Sequence, residues 1–276
     1  MSAAKRSSPS SKDLLRYEGA KRGACPTEPW QPELARLVDA PPDDDRWLHE
    51  VKWDGYRLLG IRRAGKVTLW SRNALPWTAR APDIAAALEK IPGGDLACDG
   101  ELASFDGKRS DFDKLQATLS GTPGKLRYVI FDLLHLDGID LRDVALIERK
   151  SILKRRLTGA PTALLYSDHH VGDGKTVFDT AIAQKLEGIV SKRIDSPYRS
   201  GRGGDWCKVK GSQADEYVVM GWTAPRGSRT HVGSLLLATP TKDGKWRYVG
   251  RVGSGFSDTQ LKELGRLLPP DRKSVV

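Results

Sequence analysis

The segment Glu50-Val51-Lys52-Trp53-Asp54-Gly55-Tyr56-Arg57 constrains this chain more than any other. Strand alternation places Glu50, Lys52 and Asp54 on one face and Val51 and Trp53 on the other. A lysine between two carboxylates is out of place in a sheet core and suits the wall of a site. A solvated edge strand with self-paired charges is the alternative. Three further short elements carry the same signature: Asp99-Gly100-Glu101-Leu102; Glu187 to Lys192, with Glu187 facing opposite to Lys192; and Trp206 to Lys210, with Lys208 and Lys210 sharing a face. Taken singly, each reads as strand-end charge at water. Their order and combination give them weight.

The rest of the chain supplies a frame. Strand patterns cover Trp47–Trp53, Tyr56–Arg63, Lys66–Arg72, Asp95–Phe105, Leu126–Leu136, Thr162–His169 and Glu187–Ile194, with a hairpin turn at Ala64-Gly65. Helical patterns cover Pro82–Lys90, a segment capped by Ser110 and running to Leu119, Leu141–Leu157 and Lys175–Leu186. After Gly211-Ser212-Gln213, which reads as a hinge, the strands Tyr217–Thr223, Ser234–Thr239 and Lys245–Val252 and a helix at Ser257–Leu268 suit a small OB-like barrel. Residues 1–24 are polar and basic, and read as a flexible tail. The Gly-rich loop Ser200–Asp205 lacks the spacing of a phosphate-binding P-loop.

Composition excludes several classes. With 276 residues, 39% hydrophobic content and eight tryptophans the chain can build one large or two ordinary cores. No stretch approaches the roughly 20 apolar residues of a membrane span, and the first residues do not read as a secretory signal. Cys25, Cys98 and Cys207 are widely spaced and suggest neither zinc nor a disulfide framework. Cytoplasm is the expected compartment. The net charge of +10 gathers at the ends: six basic against two acidic residues in 1–24, ten against six in 211–276. Such an excess points to a polyanion, with a merely solubilising surface as the alternative.

In chain order the charged elements resemble the nucleotidyltransferase motifs of ATP-dependent DNA ligases. KxDGxR is matched by Lys52, Asp54, Gly55 and Arg57, DGE by Asp99–Glu101, and the aromatic-Asp element by Phe131-Asp132. EGxVxK is matched by Glu187–Lys192 and KxK by Lys208–Lys210. Trp47-Leu48-His49-Glu50, Ser196-Pro197-Tyr198 and Gly204-Asp205-Trp206 are similar to the ligase domain of bacterial ligase D, the end-joining type. The resemblance spans residues 25–265. It implies an α+β fold: a nucleotidyltransferase (ATP-grasp-like adenylation) domain with antiparallel sheets over 25–210, then a short, incomplete all-β OB-fold domain over 211–276.

It also implies roles. Lys52 would be the nucleophile that takes AMP from ATP as a phosphoramidate, before AMP passes to the 5′-phosphate of a nick and the 3′-hydroxyl displaces it. A free lysine, with a pKa of about 10.4, is almost wholly protonated at pH 7, so Lys208, Lys210 and a divalent cation would have to favour the free amine. Glu50, Val51, Arg57, Arg72, Glu101, Phe131, Glu187, Lys208 and Lys210 would bind the nucleotide. Arg57 would hold the ribose, and Phe131 would stack on adenine or serve as plain core. Glu101 and Glu187 would hold Mg²⁺ or Mn²⁺, or pair with the lysines. Relatives have glycine after the asparagine of Ser71-Arg72-Asn73, where this chain has Ala74.

The implied function is an ATP-dependent DNA ligase sealing nicked or broken double-stranded DNA in non-homologous end joining, as a monomer at the nucleoid. DNA contacts would be mainly to phosphates, weakening steeply with salt. Ku and a polymerase on another chain are the implied partners. An RNA ligase, a capping-type nucleotidyltransferase and a non-catalytic nick-binding module are the rivals. The family's C-terminal basic motif finds no match in Asp271–Val276, so adenylation from ATP is expected to suffer more than sealing of a pre-adenylated nick.

Overall fold

A computed structural model describes residues 10–107, 109–211, 217–225, 231–241 and 243–268. The chain divides into two compact units, Met1–Ser212 and Gln213–Val276. The first agrees with the antiparallel α+β expectation and is built on two sheets. In the larger sheet the central strands Leu96–Ala103 and Arg127–Leu136 pair with each other. Tyr56–Arg63 and Lys66–Ser71 continue it on one side, and Ile139–Asp140 and Lys21–Arg22 on the other, every pair antiparallel. Leu164–Tyr166 joins Arg127–Leu136 in parallel. The smaller sheet runs His169–Val171, Trp47–Val51, Gly188–Arg193, Trp206–Lys210, Arg36–Leu37; its last pair is parallel.

The motif strands are central because they are apolar enough to be covered on both faces. Leu58, Leu102, Tyr128, Ile130 and Leu133 are buried in the main core, against Ile84 and Leu88 of the helix Pro82–Glu89 and Ile152 and Leu153 of the helix Leu146–Arg156. A separate cluster of Ala181, Ile189 and Val209 packs the helix Gly174–Ala183 on the smaller sheet. Two motif glycines are there for close approach. A Cβ on Gly55 would lie 2.0 Å from the Leu102 carbonyl oxygen, and one on Gly188 2.0 Å from that of Val209.

Four expectations need correction. Residues 10–24 are not a loose tail: Ser10 caps the short helix Ser11–Leu14 in a reciprocal box with Asp13, Leu14 is fully buried in the main core, and Lys21–Arg22 adds an edge strand. A single apolar anchor and a two-residue strand leave no periodicity to read. The helix expected from Leu141 begins at Leu146, because Asp140 holds Arg142 in a local turn (Nε to Oδ1 3.0 Å). Asp111, not Ser110, caps the helix Phe112–Leu119, through a 2.8 Å bond from the Lys114 amide. Ser110 instead accepts the Asp54 amide at 3.0 Å. The strand expected over Thr162–His169 is two strands, Leu164–Tyr166 and His169–Val171, which belong to different sheets.

The described residues of the second unit form an antiparallel meander, Val218–Thr223, Ser234–Pro240 and Trp246–Val252, whose Leu235 and Leu237 pack with Trp222 and Val252. The helix Asp258–Leu267, capped by Ser257 and Gln260, adds Leu261 to that core. Ser212 and Gln213 of the expected hinge, and the terminal Asp271–Val276, lie outside the described residues. No helix among the described residues is long and apolar enough to cross a membrane.

The turn after Lys66–Ser71 carries one testable irregularity. Ala74 sits at φ 58°, in the left-handed region. Its amide donates to the Ser71 carbonyl at 2.9 Å, and the Ser71 amide to that of Leu75 at 2.9 Å, so the turn closes despite the Cβ. A residue with a Cβ pays about 1–2 kcal/mol there. Ala74→Gly should therefore stabilise the protein by about 1 kcal/mol, read as a higher urea midpoint at unchanged m-value.

Candidate active site

A cleft of about 490 Å³ lies between the two sheets and is lined from both. From the smaller sheet and its continuation come Glu50, Val51, Lys52, Trp53, Val190, Lys192, Trp206 and Lys208; from the larger come Arg57, Ser71, Arg72, Glu101 and Phe131. The alternation expected across the lysine segment is not kept. The strand ends at Val51, and Val51 and Trp53 line the cleft together with Glu50 and Lys52. The Lys52 amide makes one last bond to the neighbouring strand, to Gly188 O at 2.9 Å, and beyond it Gly55 seats against Leu102.

The Lys52 ammonium is 20% exposed and donates to Glu187 Oε2. Lys210 Nζ holds the other Glu187 oxygen at 2.9 Å. Burial pushes the Glu187 carboxyl up, but these two lysines outweigh it and leave it below its ordinary value. Glu187 and Lys210 are not among the cleft-lining residues; they act on the cleft through Lys52. Lys208 does line it, and its ammonium has no hydrogen bond or ion pair to any described residue. Burial, Lys52 and Lys210 all push its ammonium down.

Glu101, opposite Arg57 in the strand register, lines the cleft and has no hydrogen-bond or ion-pair partner among the described residues. Burial raises its carboxyl to about 8, against the pull of Arg57 and Lys52. Phe131 forms an apolar wall with Trp206, ring centroids 6.0 Å apart and nearly perpendicular. Val190 lies across the cleft in the other sheet. Arg57 is held by Asp99 through both oxygens (Nε 2.9 Å, Nη2 2.6 Å) and by the Glu33 carbonyl at 2.6 Å. Arg72 and Arg202 reach the cleft with no partner among the described residues. Arg202 comes from the Ser200–Asp205 loop, whose spacing fits no phosphate-binding motif.

Glu50 lines the cleft but is itself fully engaged. Oε1 accepts from Lys150 Nζ at 2.7 Å and Lys192 Nζ at 3.1 Å, and Oε2 from Ser167 Oγ at 2.9 Å. Burial would raise its carboxyl, but Lys150 and Lys192 hold it below the ordinary range. Lys192 is 2% exposed, and its Nζ lies 4.3 Å from the Phe131 ring centroid and 4.1 Å from that of Trp206. Sequence reasoning missed Lys150, which stands in a helix where a charge reads as solvent-facing.

Glu33 was also missed. It is fully buried, takes the Arg199 amide at 3.0 Å on Oε2, and leaves Oε1 without a partner. Burial raises its carboxyl from 4.5 to about 7. The folded protein thus prefers Glu33 protonated, so native stability is lost as the pH climbs through that interval. Glu33→Gln removes the titration. It should stabilise the protein at pH 8 by about 1–3 kcal/mol and give no gain at pH 4, measured by urea unfolding at both.

Residues that could hold a divalent metal are few. No group of three or more His, Cys, Asp or Glu side chains suited to a metal occurs among the described residues. The Glu101 carboxyl on the cleft has no side-chain partner among the described residues, and both oxygens of Glu187 hold lysines. This donor set fits an Mg²⁺-type ion that takes one or two carboxylates and completes its shell with phosphate oxygens and water. It does not fit a cage made by protein alone.

Comparison with known proteins places these features. Residues 32–210 match the ATP dependent DNA ligase domain, and 228–275 the ATP dependent DNA ligase C terminal region. The multifunctional non-homologous end joining protein LigD of Pseudomonas aeruginosa is 41% identical over 258 residues, covering 91% of this chain and 31% of that protein. The Mycobacterium tuberculosis LigD is 36% identical over 228 residues, 82% of this chain and 29% of that one. Among solved structures, a mycobacterial DNA ligase D complexed with ATP and MES superposes with a TM-score of 0.63 at 32% identity, covering 88% of this chain and 79% of that one. The chain spans about a third of the length of these curated relatives.

Proposed function

Since the chain belongs to the ATP-dependent DNA ligases, we propose that it seals 5′-phosphate/3′-hydroxyl nicks in duplex DNA through an adenylate carried on Lys52. The observation that carries this reading is a partly shielded Lys52, tied to Glu187, at a cleft that brings together an aromatic wall with cations and a carboxyl group that have no side-chain partner among the described residues. Each suits one part of ATP. Phe131 and Val190 present apolar faces to the base. Arg57, with two N–H groups unspent, meets the sugar. Lys208, Arg72 and Arg202 meet phosphate charge.

In the first step the Lys52 amine bonds to the α-phosphorus and the bond to the pyrophosphate oxygen breaks. The departing Nζ proton has Glu187 within reach. Lys208 stabilises the negative charge that grows on the phosphate oxygens. A divalent cation on Glu101 would supply further neutralisation of phosphate charge when bound. In the second step the 5′-phosphate of the nick displaces Lys52 from AMP. In the third the 3′-hydroxyl displaces AMP, forming the phosphodiester.

The biological setting we propose is the ligation step of non-homologous end joining, the process for which the LigD relatives are named. The chain acts there as a monomer at the nucleoid, on broken or nicked duplex ends, alongside Ku and a polymerase. The test is incubation with labelled ATP or GTP, then with nicked DNA or nicked RNA. Label enters the protein from ATP and sealing follows on DNA. Preferential uptake of GTP, or sealing confined to RNA, would move the chain to the capping or RNA-ligase side of the superfamily.

A further inference from the structure

We propose that Tyr198 is a positioning residue for the sugar of the nucleotide, acting through Asp99 on Arg57; this rests on the reading that Arg57 holds the ribose. Tyr198 is 3% exposed, and its hydroxyl joins three separate segments. It donates to Asp99 Oδ2 at 2.6 Å and accepts from Trp30 Nε1 and the Glu33 amide, each at 3.1 Å. A phenol has one proton to give and two lone pairs to accept with. This one is saturated, and its only proton goes to the carboxylate that grips Arg57.

Arg57 has little other freedom. Asp99, fully buried, takes Nε on Oδ1 and Nη2 on Oδ2, so Arg57 and Tyr198 share Oδ2. The Glu33 carbonyl takes Nη1. Three of five guanidinium N–H bonds are thereby spent, leaving one on each terminal nitrogen for a ligand. The guanidinium lies 5.2 Å from the Phe131 ring centroid and 5.6 Å from that of Trp206. Tyr198 meets Trp206 edge-on, centroids 5.9 Å apart. It therefore touches both the polar and the aromatic hold on Arg57.

A vicinal diol is uncharged and is recognised only by aimed hydrogen bonds, which weaken steeply as the angle degrades. Losing the hydroxyl takes a donor from Asp99 and the acceptor from the buried Glu33 amide and the partly buried Trp30 indole. Arg57 stays charged and close, so attraction to phosphate survives while the aim at the sugar is lost. The signature is a change in sugar selectivity, which a general loss of stability does not produce.

The experiment measures kcat/KM for AMP-type labelling of the whole chain with ATP, 2′-deoxy-ATP and 3′-deoxy-ATP. The wild type prefers ATP to at least one deoxy analogue. Tyr198→Phe narrows that preference by about fivefold or more, chiefly through KM for ATP. Trp30→Phe removes a donor from the same hydroxyl and leaves the Asp99 link, so it keeps the wild-type ratio. A Tyr198→Phe protein slowed equally on all three nucleotides overturns the proposal. Should that variant not fold, Asp99→Asn weakens the same link from its other end, and an unchanged ratio there overturns it equally. A wild type with no preference among the three sinks the ribose reading of Arg57 itself, an outcome distinct from a preference that survives in Tyr198→Phe.

Discussion

Lys52→Ala loses ATP-dependent nick sealing by at least about a thousandfold, because no other amine on the cleft can replace a covalent nucleophile. Lys208 is the nearest substitute in chemistry, but it stands on a different strand, at the register position of Val190. The same variant should still bind nicked duplex and should seal a nick already carrying AMP within about tenfold of wild type, since that step asks nothing of Lys52 as nucleophile. Separate assays of ATP-driven and pre-adenylated sealing read the two effects. Equal loss in both would make Lys52 a structural residue. Loss in neither would remove it from the chemistry.

Arg149→Leu destabilises the first unit by about 3–5 kcal/mol, the cost of leaving a buried carboxylate without its partner. Arg149 and Asp132 are both fully buried and meet through two bonds, Nε to Oδ1 at 2.8 Å and Nη2 to Oδ2 at 2.9 Å. Arg149 also donates to the Ser196 carbonyl at 2.9 Å, tying its helix to the loop that carries Tyr198. Asp132→Ala strands the opposite charge and costs a similar amount. The double change Arg149→Leu with Asp132→Ala should be clearly less costly than the sum of the two, because neither charge is then unpaired. Urea unfolding of the four proteins closes the cycle, and an additive double mutant contradicts the pairing.

The parts of the site that are legible in the sequence are those encoded in short contiguous runs of residues. Lys52 to Arg57, Asp99 to Glu101, Glu187 to Lys192 and Lys208 to Lys210 are local words, and period-two alternation assigns most of their faces. Two strands are centred as their apolar content requires, Leu96–Ala103 and Arg127–Leu136. What stayed hidden depends on distant pairing. Lys150 reaches Glu50 across 100 residues, and Tyr198 reaches Asp99 across 99. In the helix Leu146–Arg156 the buried positions include Arg149, Lys150 and Arg156 as well as Ile152 and Leu153, so a hydrophobic pattern alone mistakes its inner face for a solvated one. Glu33 offers no signal at all: its burial follows from the segment crossing behind Arg57, not from its neighbours in sequence.

The charged segment near residue 50 is less regular than strand alternation predicts. Alternation holds only while the strand lasts, and the strand stops at Val51. Beyond it the Lys52 amide makes one last bond to Gly188, and the chain then leaves the sheet to seat Gly55 on Leu102. A motif that bends out of a sheet presents consecutive residues to one cleft.

We propose that Lys52, held by Glu187, carries the adenylate. Intact-mass measurement after incubation with ATP and a divalent cation, followed by peptide mapping under conditions that preserve a P–N bond, tests it directly. One AMP per chain on the peptide containing Lys52, released by pyrophosphate, is the predicted result. An adduct on any other residue, or one that persists in Lys52→Ala, contradicts it.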